Sequence, residues 1–297
     1  GARSARGFGA DGRADRNAVG VRTLNRTLYR MYNYDIGYDS RCDMEYGRKP
    51  PVAAQYLNGV SPRARGLQKQ NTVLDWVYRW GHSTADVIRQ VSGQQANGYA
   101  KRLAEKGFLK ATKTATGSPK LYFTLTEAGL QDVERRAYDL YNYPELDQYR
   151  VNQQQIRHYL LAQRATMNAL DTDQIDDFLT ERMTHEADTA GKKRPDVTWL
   201  LPDESRWGIE IELSAKWERR LDQFVYDIYR ALAQGSYSRF CVVTDSEAIE
   251  QRYEDAFSQA SVPVWGKDTR GRWERNNEVE LPDWLRDRVT LMLITDF

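Results

Sequence analysis

Asp196, Glu210, Glu212 and Lys216 are of types that can do chemistry together. They fall inside one stretch, KRPDVTWLLPDESRWGIEIELSAK, running from Lys193 to Lys216. Carboxylates gathered in one place repel one another unless a cation sits between them. Oxygen donors alone suit a hard divalent ion, Mg2+ or Mn2+, rather than Zn2+. A lysine beside such a site can steady the charge that builds on a reacting phosphate.

The elements needed to hold these groups are legible around them. Ile209, Ile211 and Leu213 alternate with Glu210 and Glu212, the pattern of a β-strand with one buried face, which puts both carboxylates on the opposite face. Val197, Trp199 and Leu201 form a second alternating run with Asp196 on its polar side. Pro202, Asp203, Glu204 and Ser205 between the runs are turn residues, so a hairpin is expected. A loop of Pro202 to Glu204, closed by Leu201 and Ser205, pairs Asp196 with Glu210. A slip of one residue would turn the acids in among the isoleucines.

The flanking sequence continues in alternating strands and helices. Ser214 is the expected N-cap of a helix with Lys216 in its first turn. Trp217, Leu221, Phe224, Val225, Ile228 and Leu232 lie on one face of that helix, and Gly235 stops it. Phe240–Thr244 reads as a buried strand, Asp245 or Ser246 caps a helix to about Gln259, and Val262–Trp265 reads as a strand. Residues 267–283 read as loop and Arg288–Thr295 as a last strand. Upstream, residues 130–170 look helical in two parts, the first to about Tyr141 and the second from Asn152 to Leu170. The second carries His158, read as a surface or packing histidine. Asp177–Met183 is a short strand containing Phe178 and Glu181, and His185–Lys193 is a polar loop. Residues 151–265 therefore read α-β-β-β-α-β-α-β.

From Asn71 a different pattern appears. Val73, Leu74, Trp76 and Val77 open a helix, and Ser83 caps a second through Val87, Ile88 and Val91. A third is expected from about Gln94 to Lys106, ending at Gly107. Two strands around Phe108–Lys110 and Leu121–Leu125 follow, joined by a polar tip. Three helices and a hairpin spell a winged helix-turn-helix. On that reading Gln94, Gln95, Asn97, Lys101 and Arg102 face the major groove of duplex DNA, where Gln and Asn can bond adenine and Lys or Arg can take guanine or phosphate. Lys113 and Lys120 on the wing would hold backbone phosphates. Tyr99 and Leu103 read as core.

Length and composition frame these parts. The 297 residues suggest two cores. No apolar run suggests a membrane span or a signal peptide, and Cys42 and Cys241, in dissimilar contexts, are expected to be reduced thiols in a cytoplasmic protein. The net charge of +1 is uneven: residues 1–70 hold 13 Lys/Arg against 6 Asp/Glu. This Gly/Arg/Ala-rich start, followed by a patch of Tyr29, Tyr32, Tyr34, Tyr38 and Tyr46, reads as a partly disordered basic extension with aromatics suited to nucleic acid. The expected boundaries are 1–70 for this extension, 71–141 for the winged helix and 142–297 for the acid-bearing domain, an α/β (overall α+β) mixed sheet flanked by helices.

Pro195-Asp196 followed by Glu210-Ile211-Glu212 and a lysine resembles the PD-(D/E)XK nuclease superfamily, with its restriction-endonuclease-like core. The usual lysine two places after the second acid is here Glu212, and Lys216 stands further on. A winged helix followed by FLTER, RPD and GIEIELSAK also resembles the replication-relaxation family and the plasmid relaxases built on that core, over roughly residues 71–245. That resemblance carries over Glu181, Asp196, Glu210 and Lys216 as site residues. It implies Mg2+ or Mn2+ as cofactor and cleavage of one strand of double-stranded DNA at an origin-like site. Possible partners are single-stranded DNA, a second copy of the chain or accessory mobilisation proteins. A relaxase with a tyrosine nucleophile and a histidine-held metal is disfavoured, since only His82, His158 and His185 are present and no His-x-His pair. Two alternatives stay open: a DNA-binding regulator or replication accessory whose nuclease-like domain is inert, and a nuclease of transposition or defence.

Overall fold

The computed structural model describes residues 60–96, 98–184 and 193–294. The basic extension up to residue 59 with its tyrosine patch, Asn97, most of the His185–Lys193 loop and Thr295 lie outside them. Within them the chain is a mixed α/β protein, and no helix among the described residues is long and apolar enough to cross a membrane.

The first part is helical. Helix α1 spans Pro62–Trp80, with Pro62 at its first position and the Ser61 hydroxyl accepting from the Ala64 N–H at 3.1 Å. The helix expected from Asn71 thus starts at Pro62, and the boundary drawn at residue 71 falls inside it. Its first half, PRARGLQKQ, is too polar to show an apolar period. Helix α2 (Ala85–Val91) is capped at Thr84 rather than Ser83; Ser83 is buried and bridges to Phe123. Helix α3 is only Tyr99–Glu105, with Gly98 at its N-cap. Strands β1 (Leu109–Lys113) and β2 (Leu121–Leu125) pair antiparallel, Leu109 opposite Leu125. Helix α4 (Glu127–Glu134) is shorter than the expected run to Tyr141. Its Gly129 is required by a close approach, for a Cβ there would lie 2.2 Å from the Phe108 carbonyl oxygen.

The second part is built on a five-stranded sheet. Helix α5 (Ile156–Asp171) precedes β3 (Asp177–Thr180), β4 (Val197–Leu200) and β5 (Arg206–Ile211); β4 lies between β3 and β5 and runs antiparallel to both. Helix α6 (Arg219–Ala233) leads to β6 (Arg239–Thr244), parallel to β5, and helix α7 (Glu247–Phe257) follows. Helix α8 (Trp284–Arg288) leads into β9 (Val289–Leu293), parallel to β6. Between α7 and α8, β7 (Ser261–Lys267) pairs with β8 (Trp273–Glu280) in a separate hairpin. Residues 267–283 are therefore not all loop. The residues of β8 are exposed apart from Val279, so no apolar alternation marks it.

Both faces of the sheet are covered. Val197, Trp199, Ile209, Ile211, Cys241 and Val243 pack with Leu160, Leu161 and Ala165 of α5 and with Trp76 and Trp80 of α1. Phe240 and Val242 pack with Phe224, Val225 and Ile228 of α6 and Tyr253 and Phe257 of α7. The first of these cores runs through both parts of the chain. Gln163 of α5, fully buried, ties them: its side-chain oxygen accepts from Trp76 Nε1 at 2.9 Å and the Ser83 hydroxyl at 2.7 Å, and its amide donates to the His82 carbonyl at 2.9 Å. The helices and hairpin keep a further core of their own around Val73, Leu74, Ile88, Leu103 and Phe123.

A candidate active site of paired acids and lysines

The β4–β5 register sets Val197 opposite Ile209 and Thr198 opposite Gly208; continued by one residue, it sets Asp196 opposite Glu210. The turn closes as the residues require, Leu201 donating its N–H to the Ser205 carbonyl at 3.0 Å. Gly208 lets the Phe240 ring pack on this sheet, since a Cβ there would lie 2.4 Å from it. Asp196, Glu210 and Glu212 share the parity opposite Ile209 and Ile211.

That face is not open to water along its length. Glu210 and Glu212 are each only 5% exposed, because α6 and α7 cover the sheet here. Buried carboxylates need compensation. Lys193 Nζ lies 2.9 Å from Glu210 Oε2. Lys216 Nζ bonds Glu212 Oε1, and the Tyr253 hydroxyl donates to Glu212 Oε2 at 2.9 Å. Both ammonium groups also lie over the Phe224 ring, at 5.1 Å and 4.5 Å from its centre. Asp196 is the most open of the three acids, its side chain 32% exposed. Its Oδ2 accepts from the Ile211 N–H at 2.7 Å and lies 3.2 Å from His158 Nε2.

The electrostatics follow from this packing. Burial pushes the Glu210 carboxyl up to about 7; Lys193 opposes the shift, and the charges of Asp196 and Glu212 add to it. Burial alone would lower the His158 imidazole, but its bond to Asp196, with Glu212 and Glu210 near, raises it. Tyr253 is raised by burial and then by the Glu212 charge, which keeps its phenol a donor.

Lys216 is not in the first turn of the following helix. That helix begins at Arg219, and Lys216 sits in the loop before it, from which its amine still reaches Glu212. Trp217, expected on the buried helix face, is 63% exposed. Glu181 opens a short 3-10 turn after β3, is 59% exposed and pairs with Arg194 at 3.8 Å, and among the described residues it shares no ion-pair partner with the acids. Lys193, His158 and Tyr253 were not picked out by their pattern. Lys193 stands two residues before Pro195, and nothing local says that its amine folds back onto Glu210.

Among the described residues no three of His, Cys, Asp and Glu gather into a ready metal cluster. The donor set fits a hard divalent ion in kind: all three acids offer oxygen, and Glu210 Oε1 is buried with no partner.

In the helical part, Gln94 and Gln95 lie in the turn before α3 rather than on it, Gln94 half-buried and Gln95 exposed. Lys101 and Arg102 are exposed on α3, Lys101 pairing with Glu105 at 3.7 Å and Arg102 lying 5.1 Å over Tyr99, while Leu103 is fully buried. Lys113 and Lys120 are exposed on either side of the hairpin's turn. Sequence reading missed a neighbour of this surface: Lys69 on α1 is lowered by burial and by the charges of Arg65 and Arg102.

Comparison with known proteins gives no match: no family model, no curated protein and no solved structure is significantly similar to the chain.

Proposed function

We propose that the chain is a metal-dependent, sequence-directed DNA endonuclease that nicks one strand. In this reading the helices and hairpin of residues 62–134 act as a winged helix, and the five-stranded domain acts as a relaxase-like nuclease of the restriction-endonuclease type. The observation that carries the reading is the register that sets Asp196 opposite Glu210, on the parity of Glu212, with the amines of Lys193 and Lys216 drawn in.

Each residue has a role derived from its surroundings. Asp196, at the open edge and oriented by the Ile211 N–H and His158, meets the phosphate first. Asp196 and Glu210, joined by Glu212, would hold Mg2+ or Mn2+, which when bound acidifies water and neutralises phosphate charge. Glu210 would offer its unpartnered Oε1 for this, while Lys193 holds the other oxygen of the same carboxylate. Tyr253 fixes Glu212 from the protein side and leaves Lys216 as the cation for charge that grows on the scissile phosphate. Arg65, Lys69, Lys101, Arg102, Lys113 and Lys120 would carry duplex phosphates, and Gln95 the base contact nearest them.

The test is supercoiled plasmid incubated with the full chain and Mg2+ or Mn2+. Nicked circles that appear with the native chain and vanish with Asp196→Ala support the reading. One observation favours the other class, a DNA-binding regulator with an inert nuclease-like domain: Glu210 and Glu212 already have their counter-charges in Lys193 and Lys216. A gel shift on duplex DNA with no nick at either metal selects that class.

A further inference from the structure

The surface directly after Lys216 is built for something other than duplex backbone. Trp217 is 63% exposed, large for an indole, and the Arg252 guanidinium lies 3.5 Å from its ring centre. Arg252 is itself anchored, its Nε donating to the Lys216 carbonyl at 2.8 Å. Two residues on, at the start of α6, the Arg219 guanidinium lies 4.2 Å over Trp273 of β8, and Lys267 Nζ lies 5.2 Å over the same ring. Trp273 is 42% exposed. The hairpin that carries it is held to α6 by Trp265, whose indole N–H donates to Asp222 at 2.9 Å. Glu218 is the only acid within Lys216–Arg220.

Neither ring fills a core, and both are propped by cations. An exposed indole backed by a guanidinium offers a flat face with positive charge beside it. Unpaired bases have free faces to stack on such a ring and phosphates to meet the cations, whereas bases in a duplex are already stacked on one another. An apolar protein partner would not call for a cation against each ring. Trp217 follows Lys216 directly in the chain, and Arg252 bonds the Lys216 carbonyl, so the strip begins at the loop whose amine reaches Glu212.

We propose that Trp217 with Arg252, extended by Arg219, Trp273 and Lys267, is a stacking strip that holds single-stranded DNA beside the phosphate presented to Asp196, Glu210 and Glu212. This rests on the nuclease reading for its place in the reaction, though not for its binding chemistry. The strip would keep a few nucleotides unpaired next to the cut and so define which strand is taken.

The test is fluorescence anisotropy of a labelled oligothymidylate with the full-length chain in EDTA, so that no cleavage intervenes. Trp217→Ala is expected to weaken binding by about ten-fold or more, the scale of one lost base stack, and Trp217→Phe by much less. A blunt duplex of equal length should bind both variants as the native chain does. Oligonucleotide binding unchanged in Trp217→Ala, lost equally for the duplex, or absent from the native chain would overturn the strip. Trp217 is exposed, and matching thermal transitions of the variants exclude misfolding as the cause. Plasmid nicking is scored separately. Nicking that persists while Trp217→Ala binds oligonucleotide normally ends the strip and keeps the nuclease; Trp217-dependent binding without nicking at either metal does the reverse.

Discussion

Glu210 concentrates the tension of the site. Its carboxyl sits in a covered sheet face, bonded through one oxygen to Lys193 and leaving the other with no partner. Burial holds its pKa at about 7 against an ordinary value of 4.5. Between those two values the folded chain binds more protons at this site than the unfolded chain. Stability from this group is therefore fully present below about pH 4.5 and is lost as pH rises through about 7. The full swing is roughly 3 kcal/mol at most. Glu210→Gln should remove this contribution to the fall: in EDTA, thermal midpoints of the native chain should decline more steeply from pH 5 to 7.5 than those of the variant. Parallel declines would mean that Glu210 is ionised throughout.

At the scale of elements, close approach decides which contacts are possible. Helix α4 lies against the Phe108 carbonyl only because residue 129 has no side chain. Alanine is the better helix former, yet Gly129→Ala should destabilise by about 1–3 kcal/mol, since the clash is with rigid backbone. Urea unfolding would show it, and an unchanged or raised midpoint would mean that α4 shifts freely. The β4–β5 hairpin and its register were legible in the sequence because Val197, Trp199, Ile209 and Ile211 alternate and the turn residues fix one loop length. Most of α6 was legible from Leu221, Phe224, Val225, Ile228 and Leu232. The start of α1 was not, because capping by Ser61 and Pro62 outweighs a polar first half. The strand β8 was not, since an exposed hairpin needs no apolar face. Of the site, the acids were legible by type and spacing; Lys193 and Tyr253 reach Glu210 and Glu212 only through tertiary packing.

Across the whole molecule, the N-terminal helices and the acid-bearing sheet share one core instead of hanging on a linker. Trp76 and Trp80 of α1 stack near Phe178 of β3, and Arg79 pairs with the buried Asp177 at 2.7 Å. Gln163 satisfies three buried polar groups from the other part. Gln163→Ala leaves those groups unpaired and should cost about 2–4 kcal/mol. Because the core is continuous, fluorescence and far-ultraviolet circular dichroism should trace one coincident unfolding transition in the native chain. Two separated transitions would show that the parts unfold independently. On the proposed function, such a join would present a duplex held on α3 and the hairpin to the sheet at a fixed angle.

The most direct measurement is the single-turnover rate of strand cleavage, on an end-labelled substrate cut by the native chain in Mg2+ or Mn2+. It is compared with Asp196→Asn and Lys216→Met. The account predicts no cleavage above background for the first. For the second it predicts a loss on the order of a hundred-fold, from the missing cation at the phosphate. Equal rates in all three proteins, or no cleavage by the native chain of any duplex that it binds, would contradict it.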